Sequence, residues 1–358
     1  MFFYFFIFVI LLLQYNLYRT TNNKIAFVAC FILPVSLAYC RDLQDFGKDI
    51  NLYAIPTFLQ AGDFSNFITF WIWNGNEIGY CALNWIVSRF TDDVRFYLGF
   101  HQFVVFLFIM LTAENIKSKK DSLFFLAFYL LCFFNLSIVM FRQILSISVI
   151  MFITARYLSG HKKSFWAGLV FAQLFHNASI IAGVIPVLIW AVEKYHKHFK
   201  KICLLIIAFI SILYIGFKTI FFQLALSVSD KYDNYFSQDD MKTHKVDLIV
   251  WIGLLLCTLL SGAKTNKEKI GRDTVRAFTI LYIGILMLGD LFETANRLSF
   301  NIMAPIILLL PQLFTTSVQR KKAFTVIFAL LLSAYVFNSI TEGISLTVPY
   351  KSKLLGIG

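Results

Sequence analysis

Phe2-Phe-Tyr-Phe-Phe-Ile-Phe-Val-Ile-Leu-Leu-Leu-Gln-Tyr-Asn-Leu-Tyr18 runs from the second residue to Arg19 without a single charge. A run like this is either the apolar region of an export signal or a membrane span. An export signal carries a basic start, an apolar region of about 7–15 residues and a small-residue cleavage site. This stretch has no basic start and no such site, and it is longer than the usual apolar region, so it is expected to cross the bilayer. A hydrocarbon core about 30 Å thick takes roughly 20 apolar residues as a helix.

The same criterion carried downstream gives spans at 2–18, 25–40, 96–113, 122–140, 143–159, 164–176, 178–192, 202–220, 246–262, 274–291, 298–315 and 323–340. The pair 164–176 and 178–192 is short and reads equally as one broken helix or a tilted hairpin. Composition agrees: 59% of the 358 residues are hydrophobic and 15% are charged, against roughly 25% charged in a soluble domain. Phe occurs 41 times and Pro six, and no pattern of alternating ten-residue strands suggests a barrel. The expected fold is all-α: one polytopic transmembrane domain over 1–358 with about twelve spans. A long extracytoplasmic segment is expected at 41–95 and a second extracytoplasmic loop at 221–245.

Sidedness follows from Lys and Arg, which concentrate in cytoplasmic loops. Alternate connections carry Arg19 and Lys24; Lys117, Lys119 and Lys120; Arg156, Lys162 and Lys163; Lys194, Lys197, Lys200 and Lys201; Lys264, Lys267, Lys269, Arg272 and Arg276; and Arg320, Lys321 and Lys322. These turns are expected in the cytoplasm and both chain ends outside it. The net charge of +12 is spread over short loops rather than gathered in one patch, so no nucleic-acid partner is implied.

Several chemistries are absent from the pattern. The six cysteines show no C-x-x-C spacing and most lie in apolar runs, as small buried hydrophobes do. His196-x-His198 sits among lysines in a basic turn, and Gly262-Ala-Lys-Thr lacks the upstream glycines of a phosphate loop. There is no H-E-x-x-H and no G-x-S-x-G. No metal or cofactor is expected, and any substrate must come from the membrane.

The opposite face carries the remaining polar groups. Arg142 stands one turn from the start of its span, where a helix N-terminus and a guanidinium together suit a phosphate; a snorkelling or acid-paired arginine is the competing reading. Arg297 is placed similarly, with Glu293 four residues before it as a local ion-pair partner and Asp290 seven before. His176, followed by Asn177 and Ser179 at a helix break, is either a satisfied structural histidine or an imidazole presented to a wet cavity. Glu77 precedes a moderately apolar helix, and a helix-start carboxylate is its simpler role.

In order, Arg41…Gly47-Lys-Asp49…Tyr53, Glu77-x-Gly-Tyr80…Asn84, Phe141-Arg-Gln143, Ala172-x-x-x-Phe-His176-x-x-Ser179 and Lys231-Tyr-x-x-Tyr235 resemble the EpsG-like branch of the Wzy polysaccharide polymerases along the whole chain. Lys48 stands where that branch usually has a small or hydroxyl residue. The resemblance implies an O-antigen or capsule polymerase in a bacterial inner membrane, with its site facing the periplasm. Such an enzyme joins oligosaccharide units carried on undecaprenyl diphosphate and releases that carrier. Its partners would be the lipid-linked donor and acceptor, membrane lipids and a chain-length regulator.

The chemistry then assigns roles. Charge on a departing diphosphate is met by preorganised arginines, for which Arg142, Arg297 and Arg41 are the candidates. A sugar hydroxyl needs a base, for which His176 and Glu77 are the candidates. Asp49, Tyr53, Tyr80, Gln143, Tyr232 and Tyr235 are candidates for holding sugar. Metal-independent transfer with inversion at the anomeric centre is expected. An O-antigen ligase would use a similar donor. A lipid-linked oligosaccharide flippase or other transporter would have internal repeats and ionisable groups near mid-span.

Overall fold

The computed structural model describes residues 2–43, 49–216, 245–260, 265–289, 293–314, 326–327, 329, 331–334 and 350–357. Among them the regular secondary structure is helical, with one isolated bridging pair, Ser352 with Ile357. The protein is an all-α polytopic membrane protein. The helices are α1 (Phe2–Thr21), α2 (Lys24–Cys40), α3 (Ile55–Asp63), α4 (Phe67–Asn74), α5 (Ile78–Ser88), α6 (Val94–Asn115), α7 (Lys119–Cys132), α8 (Phe134–Val139) and α9 (Phe141–Leu158). They continue with α10 (Ser164–Gln173), α11 (Val184–Tyr195), α12 (Phe199–Gly216), α13 (Lys245–Leu260), α14 (Asn266–Leu288) and α15 (Glu293–Phe314).

By length and composition, four helical runs among the described residues can cross a bilayer: Phe3–Thr21, Val94–Asn115, Phe141–Leu158 and Asn177–Gly216. Lys24–Cys40, Ile78–Ser88, Leu248–Leu259 and Arg297–Pro311 are shorter apolar helices. The run Asn177–Gly216 has 40 residues, about 60 Å at 1.5 Å per residue, twice a hydrocarbon core. It is interrupted where Tyr195 leaves helical geometry (φ −116°, ψ 25°) and His196–His198 form a 3₁₀ turn. Most of the expected span 323–340 and of the loop 221–245 lies outside the described residues.

The chain divides into two compact units, 1–180 with 335–358, and 181–334. In the first, α9 packs on α6 and α10, and α2 packs on α6 and α1. Its two ends are fastened differently. At one, Arg19 Nη1 lies 3.0 Å from Glu114 Oε1 and Ser159 Oγ donates to the Asn115 carbonyl at 3.2 Å. At the other, Arg95 Nη1 donates to the Arg41 carbonyl at 2.7 Å and Tyr350 Oη to the Leu37 carbonyl at 2.9 Å. The two sets sort the α1–α2, α6–α7 and α9–α10 connections to one end and the Arg41 region to the other. In the second unit α14 is the hub, packing on α11, α12, α13 and α15; a Thr265/Glu268 capping box starts it.

Segment 41–95 holds more helix than the sequence patterning shows. A π-helical turn (Ile50–Ala54) leads into α3, followed by α4 and α5. Asn66 caps α4 by accepting from the Ile68 and Thr69 amides at 2.8 and 3.3 Å, and Gly75, in the left-handed region at φ 70°, ends it. A small core of Ala61, Phe70 and Cys81 unites the three helices, while Ile68, Ile72 and Trp73 stay exposed. Such apolar faces suit the boundary of a bilayer.

Candidate functional site

The site lies inside the first unit, where the start of α5 meets the end of α10. The backbone makes that meeting. The amides of Gly79 and Tyr80 both donate to the Leu174 carbonyl, at 2.7 and 3.3 Å. A Cβ on Gly79 would stand 2.7 Å from that oxygen and 2.8 Å from the Leu174 Cβ, so only glycine allows the approach. Glu77, two residues before Gly79, is thereby set against His176, two residues after Leu174. The break at His176 is held by the Ser179 amide, which donates to the His176 carbonyl at 3.1 Å, and by the buried hydroxyl pair Ser179–Ser146, which ties it to α9.

Glu77 is the hub. Its Oε2 accepts from Arg142 Nη1 at 2.9 Å, its Oε1 accepts from the Asn177 amide at 3.3 Å, and the same Oε1 lies 3.4 Å from His176 Nδ1. Arg142 Nη1 also donates to Asn76 Oδ1 at 2.8 Å, and its guanidinium lies 5.5 Å from the Tyr53 ring centre and 5.9 Å from that of Tyr80. Asn76 is itself fixed, accepting from the Trp71 indole through its carbonyl at 3.1 Å and donating to Asn74 Oδ1 at 2.5 Å. Side-chain exposure is graded: 8% for Glu77, 19% for His176 and 27% for Arg142. The carboxylate is therefore interior, and the imidazole and guanidinium are reachable.

Burial alone would raise the Glu77 carboxyl, but the His176 contact and the Arg142 charge outweigh it and hold the group at about 2, from an ordinary 4.5. The 3.4 Å contact is at the outer edge of hydrogen bonding, so the shorter Arg142 pair is the firmer support. Glu77 is a fixed anion across the physiological range.

The other candidates separate. Asp49 begins the π-helical turn and adds its charge to the field at Arg142. Tyr53 is 43% exposed beside Arg142. Tyr80 and Gln143 are buried, at 0% and 4%, so Tyr80 supports Arg142 from within. Arg41 is 1% exposed, donates to the Ile138 carbonyl and lies 5.6 Å from the Phe141 ring centre; the structure sets it in the packing behind α9. Arg297 is half-buried on the second turn of α15, in the second unit. Tyr232, Tyr235 and Asp290 lie outside the described residues. Sequence reasoning missed Asn76 and gave no role to Gly79, the glycine of Glu77-x-Gly-Tyr80. Asn76 has a local signal, an amide immediately before a helix-start carboxylate; the need for Gly79 comes from Leu174, far away in sequence.

A helical membrane protein with a carboxylate–guanidinium–imidazole cluster at the break of a short helix defines the class. Within that class, the profile of the EpsG family matches residues 40–352, and the chain belongs to this family of polysaccharide polymerase-like membrane proteins. No curated protein and no solved structure matches the chain.

Proposed function

We propose that the protein polymerises lipid-linked oligosaccharides, with His176 as base, Glu77 as its orienting anion and Arg142 as the group that meets the diphosphate. The observation that carries this reading is Glu77 bridging Arg142 and His176. A carboxylate held at about 2 cannot take a proton near neutral pH, so it is unsuited to be the base. Its place opposite Nδ1 favours the tautomer with the proton on that nitrogen and leaves Nε2 as acceptor. The acceptor sugar's hydroxyl gives its proton to Nε2 as its oxygen bonds to the donor's anomeric carbon. The bond from that carbon to the diphosphate breaks, and the diphosphate leaves with the electron pair. Arg142 faces the developing charge with its exposed portion. Attack opposite the leaving group inverts the anomeric centre.

Tyr53 and Asp49, beside Arg142, are the groups placed to hold a sugar ring; Tyr232 and Tyr235 are kept as candidates on sequence alone. The carrier is undecaprenyl diphosphate, the compartment a bacterial inner membrane, and the site faces the periplasm. A ligase would use the same donor chemistry.

Complementation of a polymerase-deficient strain of the matching antigen tests the reading. Wild type is expected to restore a ladder of long surface polysaccharide, and Arg142→Ala and His176→Ala at equal membrane abundance only single repeat units. Long chains from both variants would remove the residue roles. No ladder from wild type would overturn polymerisation in favour of the ligase or transporter.

A further inference from the structure

In the second unit, α11 and α12 join through the 3₁₀ turn His196–His198, and both helices pack on α14. A cavity of about 400 Å³ opens between this turn and the first half of α14. Lys197, Lys200 and Lys201 line it from the turn and the start of α12; Lys269, Arg272 and Arg276 line it from α14, with Asp273 as its one acidic wall residue. The α14 residues fall at i, i+3, i+4 and i+7, a single stripe of helix. Asp273, 2% exposed, lies 3.1 Å from Arg276 Nη1 and 3.4 Å from Arg272 Nε, and Arg276 Nη2 donates to the Thr258 carbonyl at 2.6 Å. These contacts fix the guanidiniums at the cavity wall.

Basic residues in such a turn are accounted for by membrane orientation alone, which requires only that they lie in the loop. Orientation does not require that two separate basic segments converge on one concavity. We propose that this cavity binds the phosphate of an anionic lipid headgroup. Its level on the helices favours a lipid. On α11, Lys194 Nζ stands 4.9 Å from the Trp190 ring and 5.3 Å from the Tyr195 ring, the aromatic and cationic pairing of a membrane–water boundary. On α12, Leu204 and Leu205 are 66% and 70% exposed, and Leu204 follows Lys201 by only about 4.5 Å of helix rise. The cavity thus sits where hydrocarbon gives way to headgroups, and basic pockets at that level take lipid phosphates. Lysines supply point charges and Arg272 a planar donor group.

The test is native mass spectrometry of the full chain released from nanodiscs of phosphatidylcholine doped with cardiolipin. Wild type is expected to retain the anionic lipid. Lys269→Gln with Arg272→Gln on one wall, and Lys197→Gln with Lys201→Gln on the other, are each expected to lower retention by about ten- to thirty-fold. Lys119→Gln with Lys120→Gln, at the start of α7, is expected to leave it unchanged. Retention is scored on the intact monodisperse protein, so a variant that fails to insert leaves the opposite wall to decide. Undiminished retention in the wall variants, or an equal loss in the α7 variant, would overturn the site. A second arm adds glycerol phosphate to lipid-free detergent-solubilised protein. Thermal stabilisation matching that from cardiolipin would overturn the lipid assignment by making a free phosphorylated solute sufficient; no stabilisation supports the lipid.

Discussion

Glu77 and His176 are both candidate bases by residue type, and their surroundings divide the work. A carboxylate 2.9 Å from a guanidinium and 8% exposed stays ionised, whereas an imidazole is the side chain that ordinarily exchanges a proton near neutral pH. In an in-vitro polymerisation assay, His176→Ala is expected to lower turnover by about 10²–10⁴-fold, the usual worth of a positioned base. Glu77→Gln keeps the shape but removes the anion, so turnover should fall while donor binding changes less. Equal turnover in Glu77→Gln and wild type would show that the anion does not act through His176. The low titration of Glu77 has a second consequence. A carboxyl depressed from 4.5 to about 2 on folding contributes stability fully above pH 4.5, and that contribution disappears as pH falls through about 2. The melting-temperature gap between wild type and Glu77→Gln in detergent should therefore narrow as pH falls from 5 towards 3. A gap that stays constant over that range would show that the Glu77 anion contributes nothing to stability.

At the scale of elements, α5 and α10 meet end to end through Leu174, and Gly79 permits it. Gly79→Ala adds a methyl where its neighbours are 2.7 and 2.8 Å away, and overpacking of this kind costs about 1–3 kcal/mol. The expected result is a lowered melting temperature with a larger proportional loss of polymerisation, because the shift separates Glu77 from His176. Unchanged activity in a folded Gly79→Ala protein would disconnect this packing from the site. The contrast with Arg142 shows what a sequence can disclose. Arg142 is legible because a charge at the start of an apolar helix stands out against its own neighbours. So is the break at His176-Asn-Ala-Ser179, where polar residues interrupt an apolar run. Helix α4 is hidden because Phe67–Asn74 is apolar nearly all round and too short for a span, so periodicity finds no face. Arg41 reads in the sequence as a candidate for the diphosphate, yet its guanidinium is buried against the Ile138 carbonyl and the Phe141 ring. Those contacts come from distant segments that no local pattern encodes.

At the scale of the whole molecule, charge distribution and contacts supply independent constraints on sidedness. The fastenings at Arg19–Glu114 and Ser159–Asn115 gather three basic connections at one end of the first unit, and Arg41, Arg95 and Lys351 meet at the other through Arg95 to the Arg41 carbonyl and the Asp42 amide to the Lys351 carbonyl. Contacts of this kind state which segments share an end; the excess of Lys and Arg states which end faces the cytoplasm. If both hold, Ser65, exposed between α3 and α4, and Lys162, exposed between α9 and α10, lie on opposite sides. In a cysteine-free background, Ser65→Cys should react with a membrane-impermeant maleimide added to intact spheroplasts, and Lys162→Cys only after permeabilisation. The reverse pattern would turn the site towards the cytoplasm, where a flipped lipid-linked acceptor could not reach it, and would remove the periplasmic polymerase reading whatever the activity of the point variants. Labelling of both positions in intact spheroplasts would break the shared-end argument itself, because it would put the α3–α4 and α9–α10 connections on one side of the membrane.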